Sequence, residues 1–205
     1  TSCFELVEQI TIKEGNSGSY KLIGNFSQSK GTLQSLMTKD SVMGARVPSI
    51  TEINTNIQKV KDKFASMPGI SNVTIKKDYT NFIFDMSCDF TSVKVLDEAL
   101  ANTLSAFSKN KQQIATGNYA MSGKVFKRQI VYDYTREVAK NMNSQFQGIL
   151  EKATFLAIYR FPNSIKSVSN SKAKISANRK ATMLKVSLLD ISKSKTAIAN
   201  TVILD

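Results

Sequence analysis

Two aspartates, Asp85 and Asp89, and a set of Ser-x-x-Lys spacings are the groupings in this chain that most resemble catalytic chemistry. The aspartates alternate onto one strand face, where a rise of about 3.3 Å per residue puts them roughly 13 Å apart. Catalytic carboxylate pairs in glycosidases sit roughly 5 to 9.5 Å apart, so this spacing is too long. The run also lacks the D-x-[DN]-x-[DN]-G pattern and distal glutamate of a calcium loop. It reads as a solvated strand face. The Ser-Lys spacings fall at Ser27/Lys30, Ser108/Lys111, Ser169/Lys172, Ser171/Lys174 and Ser192/Lys195. Penicillin-binding enzymes use that spacing, but their companion S-D-N and K-T-G motifs are absent here. Histidine is missing altogether, which excludes Ser-His and Cys-His nucleophile pairs and histidine metal sites. No catalytic residue, metal site or cofactor is assigned, and the chain is not expected to be an enzyme. An enzyme built on it would need carboxylate or lysine chemistry, and no candidate pair is present.

Cys3 carries a different chemistry. It follows Thr1 and Ser2 and precedes strand-like sequence from Phe4 to Ile12. A cysteine after small residues matches the end of a bacterial lipobox, where the signal peptide is removed and the thiol takes a diacylglycerol. The competing reading is a small apolar residue at the start of a strand. On the first reading Cys3 is a lipid anchor, the protein belongs to the bacterial cell envelope at the outer membrane, and the first hairpin lies close to the bilayer. The second cysteine, Cys88, lies in an apolar row and reads as an inert buried thiol.

The charge is uneven. The chain has 28 Lys+Arg against 16 Asp+Glu, a net of +12. Residues 1–100 hold 11 of each sign, so the whole excess belongs to the second half. Such asymmetry suits an anionic partner, such as anionic lipid or an acidic envelope component. The candidate contacts are Lys166, Lys172, Lys174, Arg179, Lys180 and Lys185. Lysine dominates over arginine, which favours diffuse attraction or plain solvation over bidentate phosphate reading. Nucleic acid is not expected as a partner, because Pro162 to Asp205 contains no aromatic residue on which bases could stack. A nucleic-acid-binding domain nevertheless stays open as an alternative class on charge alone. Oligomeric state cannot be read from these features.

These groups must be positioned by a fold, and the patterning is that of an α+β protein. At 205 residues the chain is long enough for a substantial core. Residues 4–13 and 19–27 read as a hairpin about Gly15 and Gly18. A short helix over 29–40 presents Leu33, Leu36 and Met37. Ser49 and Glu52 have capping-box spacing ahead of Ile50, Ile53, Ile57, Val60, Phe64 and Met67, an apolar stripe read as core. Phe82, Phe84, Met86, Cys88 and Phe90 alternate strictly, as on a half-buried antiparallel strand, with Ile70 to Lys77 as hairpin partner. Thr91 or Ser92 is expected to cap a helix carrying Val93, Leu96, Leu100 and Leu104. Strands about Gly123 and a helix from about Asp133 repeat the order, and the last 50 residues read as short strands and exposed turns. The expectation is an antiparallel sheet built from hairpins, with about four helices on one face, in a single domain over 1–205 or two lobes divided near 110–117.

The first hairpin with Gly15 and Gly18, and the segment Ser27-Gln28-Ser29-Lys30 leading into a Leu/Met helix, resemble small bacterial lipoproteins. The segment Tyr159-Arg160-Phe161-Pro162, followed by Ile165 and Asn170, is similar to the strand end and terminal meander of the LppM-type lipoprotein domain. That resemblance implies an exported α+β domain associated with lipid or the envelope, and no catalytic residue travels with it. Taken together, the expected function is a lipid-anchored, non-enzymatic binding or envelope-maintenance module.

Overall fold

Period-two patterning produces most of the structure, a computed structural model that describes residues 4–42, 45–107, 115–131 and 144–205. Cys3 and most of the helix expected from Asp133 lie outside those residues. Strands run β1 (Glu5–Ile12), β2 (Gly18–Asn25), β3 (Ser41–Val42), β4 (Ala45–Arg46), β5 (Ile70–Asp78) and β6 (Ile83–Phe90). They continue as β7 (Tyr119–Ser122), β8 (Val125–Arg128), β9 (Thr154–Arg160), β10 (Ile165–Val168), β11 (Lys174–Ile175), β12 (Ala181–Ser187) and β13 (Asn200–Leu204). The described helices are α1 (Lys30–Met37), α2 (Ile50–Ala65), α3 (Val93–Phe107), α4 (Ser144–Lys152) and α5 (Leu188–Lys193).

A seven-stranded sheet has the order β11-β12-β9-β1-β2-β6-β5, and a four-stranded sheet has the order β10-β13-β8-β7. The pairing is antiparallel throughout both, except that β1 and β9 run parallel at the centre of the larger sheet. The α+β class expected from the sequence is therefore present, with this one parallel joint added. Hairpin reading cannot anticipate it, because parallel neighbours are joined by a long crossover and leave no local turn signal.

Register fixes which side chains share a face. Ile10 lies opposite Tyr20 on β2 and Tyr159 on β9, Tyr20 lies opposite Cys88, and Tyr159 lies opposite Thr182. All of these are buried on the inner face. The four-stranded sheet packs there over β1, β9 and β12, with Phe126 edge-on to Tyr159 and Phe161 at centroid distances of 5.2 and 5.5 Å. α3 packs against β5, β6 and β7, and α2 packs against β5 and α3.

Local chemistry sets the helix ends. Ser49 Oγ accepts the Glu52 N–H at 3.2 Å while the Glu52 carboxylate accepts the Ser49 N–H at 2.8 Å, the reciprocal capping box expected from the spacing. α2 ends at Ala65, just before Pro68 and Gly69. Gly69 has a φ of +83°, and a Cβ there would approach Thr91 Oγ1 to 2.5 Å, so the turn into β5 admits no side chain. Ser92, not Thr91, caps α3 by accepting the Val95 N–H at 3.2 Å. Ser187 caps the short α5 through the Asp190 N–H, an element that its six residues were too few to announce by period.

Candidate apolar groove and buried polar cluster

The inner face is not filled evenly. Beneath α1 and α2, two adjoining cavities of about 530 and 420 Å³ share Phe26, Ile53, Ile57 and Phe84 as common walls. Both volumes fall within the roughly 300–1,000 Å³ typical of ligand sites. The roof is the apolar stripe of α2, Ile53, Ile57 and Val60, with Leu33, Leu36 and Met37 of α1 beside it. The floor is Leu6, Leu22, Phe84 and Met86 from β1, β2 and β6. Gly24 belongs to that floor: a Cβ there would meet the Phe26 ring at 2.8 Å, and its absence keeps the cleft open between Leu6 and Phe84.

The stripe on α2 was expected to be core, and here the structure corrects the reading. Of that helix only Phe64 is buried, while Ile53, Ile57 and Val60 are half-buried against the groove and Ile50 is exposed. α1 has no buried residue. The periodicity is real; the surface it meets is a cavity.

Polar groups ring this cleft without entering it. Tyr79 Oη and Lys77 Nζ both donate to Asn54 Oδ1, at 2.8 and 2.9 Å. Arg46 donates to Glu52 at the first turn of α2. At the other margin Phe4 stacks on Phe26 with ring centroids 5.1 Å apart.

A second grouping lies deep in the filled end and was missed from sequence. Glu8, 3% exposed, accepts from Tyr119 Oη at 2.5 Å, Tyr159 Oη at 2.6 Å and Arg128 Nε at 3.2 Å. The Arg128 guanidinium lies 4.3 Å from the Tyr119 ring centroid. Burial, then the nearby Glu8 charge, pushes the hydroxyls of Tyr20 and Tyr159 above the ordinary tyrosine range. Burial likewise raises that of Tyr119. All three therefore stay protonated, and those of Tyr119 and Tyr159 donate to Glu8. The members come from β1, β2, β7, β8 and β9, so only the folded topology gathers them. A glutamate on the apolar side of an alternating strand was the one local signal. With every carboxylate oxygen engaged and little solvent access, the cluster holds the two sheets in register and offers no route for a substrate.

The remaining sequence candidates fall as follows. Asp85 pairs with Lys21 at 3.6 Å and Asp89 accepts from Asn72 at 2.7 Å, both on the outer sheet face. Burial pushes the Cys88 thiol up to about 12, so the thiolate is suppressed. Of the basic set, Lys172 pairs with Asp190 at 3.4 Å and Lys185 with Glu5 at 3.5 Å. Arg179 donates to the carbonyls of Ile165 and Lys166, tying it to the turn beside Lys166 and Lys180. Lys174 lies opposite Met183, one pleat from Lys185 on the outer face. Among the described residues no cluster of His, Cys, Asp or Glu could hold a metal, and no helix is long and apolar enough to cross a membrane.

No protein-family model matches the chain, and no curated protein matches it either. Among solved structures it is similar to the folded domain of LppM from Mycobacterium tuberculosis, determined by NMR. The two share 11% identity and a TM-score of 0.42 over 100% of this chain and 92% of that one. The similarity is one of remote fold, and no residue's role passes across it.

Proposed function

We propose that this protein is a non-enzymatic binding module of the bacterial cell envelope whose groove takes a hydrocarbon chain. The observation that carries the reading is the pair of joined cavities beneath α2, walled almost wholly by aliphatic and aromatic side chains. From Ile50 to Val60 the helix above them rises about 15 Å. That is half of the roughly 30 Å hydrocarbon core of a bilayer, the depth one acyl chain covers. Each methylene moved from water into such a site contributes about 0.8 kcal/mol, so even a partly enclosed chain is held.

Location follows from the anchor. In this reading Cys3 is acylated, and Phe4, the next residue, stacks on the groove wall at Phe26. A lipid at Cys3 would then hold the groove mouth against the membrane from which its ligand comes. The basic residues of the second half add attraction to anionic lipid, at about 1 kcal/mol for each one near the surface.

Titration with the neutral fluorophore N-phenyl-1-naphthylamine tests the groove. The wild-type protein should bind it with a saturable rise in emission. Ile57→Trp, which fills the shared wall, should abolish the signal while circular dichroism stays unchanged. Equal binding by both proteins places the fluorophore elsewhere and sinks the reading. Mass spectrometry of membrane-extracted protein tests the anchor separately, since an unmodified Cys3 thiol there removes it.

A further inference from the structure

The groove is apolar along its length but not symmetric at its ends. Two charged residues contribute to its walls, Arg46 and Asp85. Asp85 lies between Phe84 and Met86, which face the cleft, so its carboxylate points to the opposite sheet face, where it meets Lys21 at 3.6 Å. Arg46 is thus the one charged residue among the described lining residues whose stem lines the groove, and its exposed guanidinium stands at the rim where α2 begins.

Its present partner does not consume it. The Arg46–Glu52 pair is open to solvent, with side chains 69% and 42% exposed, and such pairs contribute little because water screens them. Glu52 is also engaged elsewhere, since its other oxygen caps the Ser49 N–H at 2.8 Å, a bond that does not depend on Arg46. A guanidinium carries five N–H donors in a planar fork, and here one terminal nitrogen contacts Glu52. The fork therefore has donors to spare for a second oxyanion. Lys77, held by Asn54 beside Tyr79, adds positive charge on the same rim. The start of α2 contributes the positive end of a 16-residue helix.

Resting on the groove reading above, we infer that the occupant is a single-chain anionic amphiphile, its hydrocarbon tail running under α2 toward Val60 and its carboxylate or phosphate head bound by Arg46. A single tail suits the cleft, because its two parts follow one another along α2, from Arg46, Val47 and Pro48 in one to Val60 in the other, and share Phe26, Ile53, Ile57 and Phe84 as walls. Cationic heads are disfavoured by Arg46 itself.

Displacement of bound N-phenyl-1-naphthylamine from the full chain tests this, with dodecanoate, dodecyl phosphate and dodecanol as competitors of equal chain length below their aggregation limits. At least one anionic competitor should displace the fluorophore at about tenfold lower concentration than dodecanol, the size of one charge-assisted hydrogen bond. Which anion is stronger identifies the head. Arg46→Gln should bring the anions level with dodecanol and leave dodecanol unchanged. If wild-type protein takes all three equally, or if Arg46→Gln leaves the anion preference intact, the head assignment is overturned while the groove stands. If none of the three displaces the fluorophore, the groove reading fails with it.

Discussion

Over β9, β12 and the Glu8–Ile12 end of β1 the inner face of the large sheet is packed full, whereas over Leu6, Leu22, Phe84 and Met86 it meets α1 and α2 and leaves a cleft. Strand β6 passes through both regimes. At its far end Cys88 and Phe90 are buried, and four residues earlier Phe84 and Met86 are half-buried on the same face. The side chains at the two ends are alike in kind; what differs is the element above them, α3 with its buried Val93, Leu96 and Ala99 at the filled end and α1 with α2 over the cleft. A sheet covers its partner continuously, because both surfaces are pleated and pack about 10 Å apart. A helix covers a stripe, and α2 rests on β5 at the edge, so its inward side overhangs β6 and β2 without filling the space. The cleft arises where α1 and α2 supply that cover.

The largest way to break the comparison is in the filled end. Glu8→Ala removes the acceptor for Tyr119, Tyr159 and Arg128 and strands a buried guanidinium. A loss of about 3–5 kcal/mol is expected in urea unfolding, the usual cost of halving a buried ion pair. Matched truncations come next. Leu184→Ala, at a fully buried site, should cost about 2–5 kcal/mol, because the surrounding core cannot collapse into the gap. Ile57→Ala, in the groove, should cost under about 1 kcal/mol, since part of that surface is already open. Equal losses at the two sites would show that the groove is filled in solution and remove the distinction.

A smaller effect reports on the boundary between the regions. The Cys88 thiol is raised to about 12 in the folded protein, against about 8.5 in an unfolded chain. A raised acid contributes stability that is complete below about pH 8.5 and is lost as pH climbs toward the folded value, because the unfolded thiol ionises first. Wild type should therefore lose on the order of 1 kcal/mol more than Cys88→Ala between pH 8.5 and 9.5, read from paired denaturation curves. The smallest effect belongs to the outer face: Lys21→Ala breaks only the exposed pair with Asp85 and should change stability by less than about 0.5 kcal/mol.

Much of this architecture is legible without coordinates. Alternation from Phe84 to Phe90 marks the inner face of β6, although Phe82, read as part of that strand, lies before it with a φ of +54°; Ser49 and Glu52 mark the start of α2, and Pro68 with Gly69 limits it to the preceding turn. Hairpins and caps are local, so their signals lie within a few residues. What escapes is everything that depends on distant partners. Glu8, Tyr119 and Arg128 are unremarkable in sequence and become one cluster only when β1, β7 and β8 meet. The groove is hidden for another reason. An apolar stripe states that a helix face avoids water, but it carries no information on whether the opposing surface arrives in contact or stops short. Ile53 and Ile57 look the same in sequence whether they touch a packed core or an open cleft. Cys3 and the segment from Asp133 lie outside the described residues, so the readings made there stand as expectations.

The parallel joint between β1 and β9 has a kinetic consequence. β1 can pair with β2 as soon as the first hairpin exists, but its other edge is satisfied only by residues 154–160. The centre of the large sheet is therefore its joint between the most distant segments, and loop-closure entropy makes such distant pairings slow. Until then β1 presents a bare edge, which is a template for mispairing.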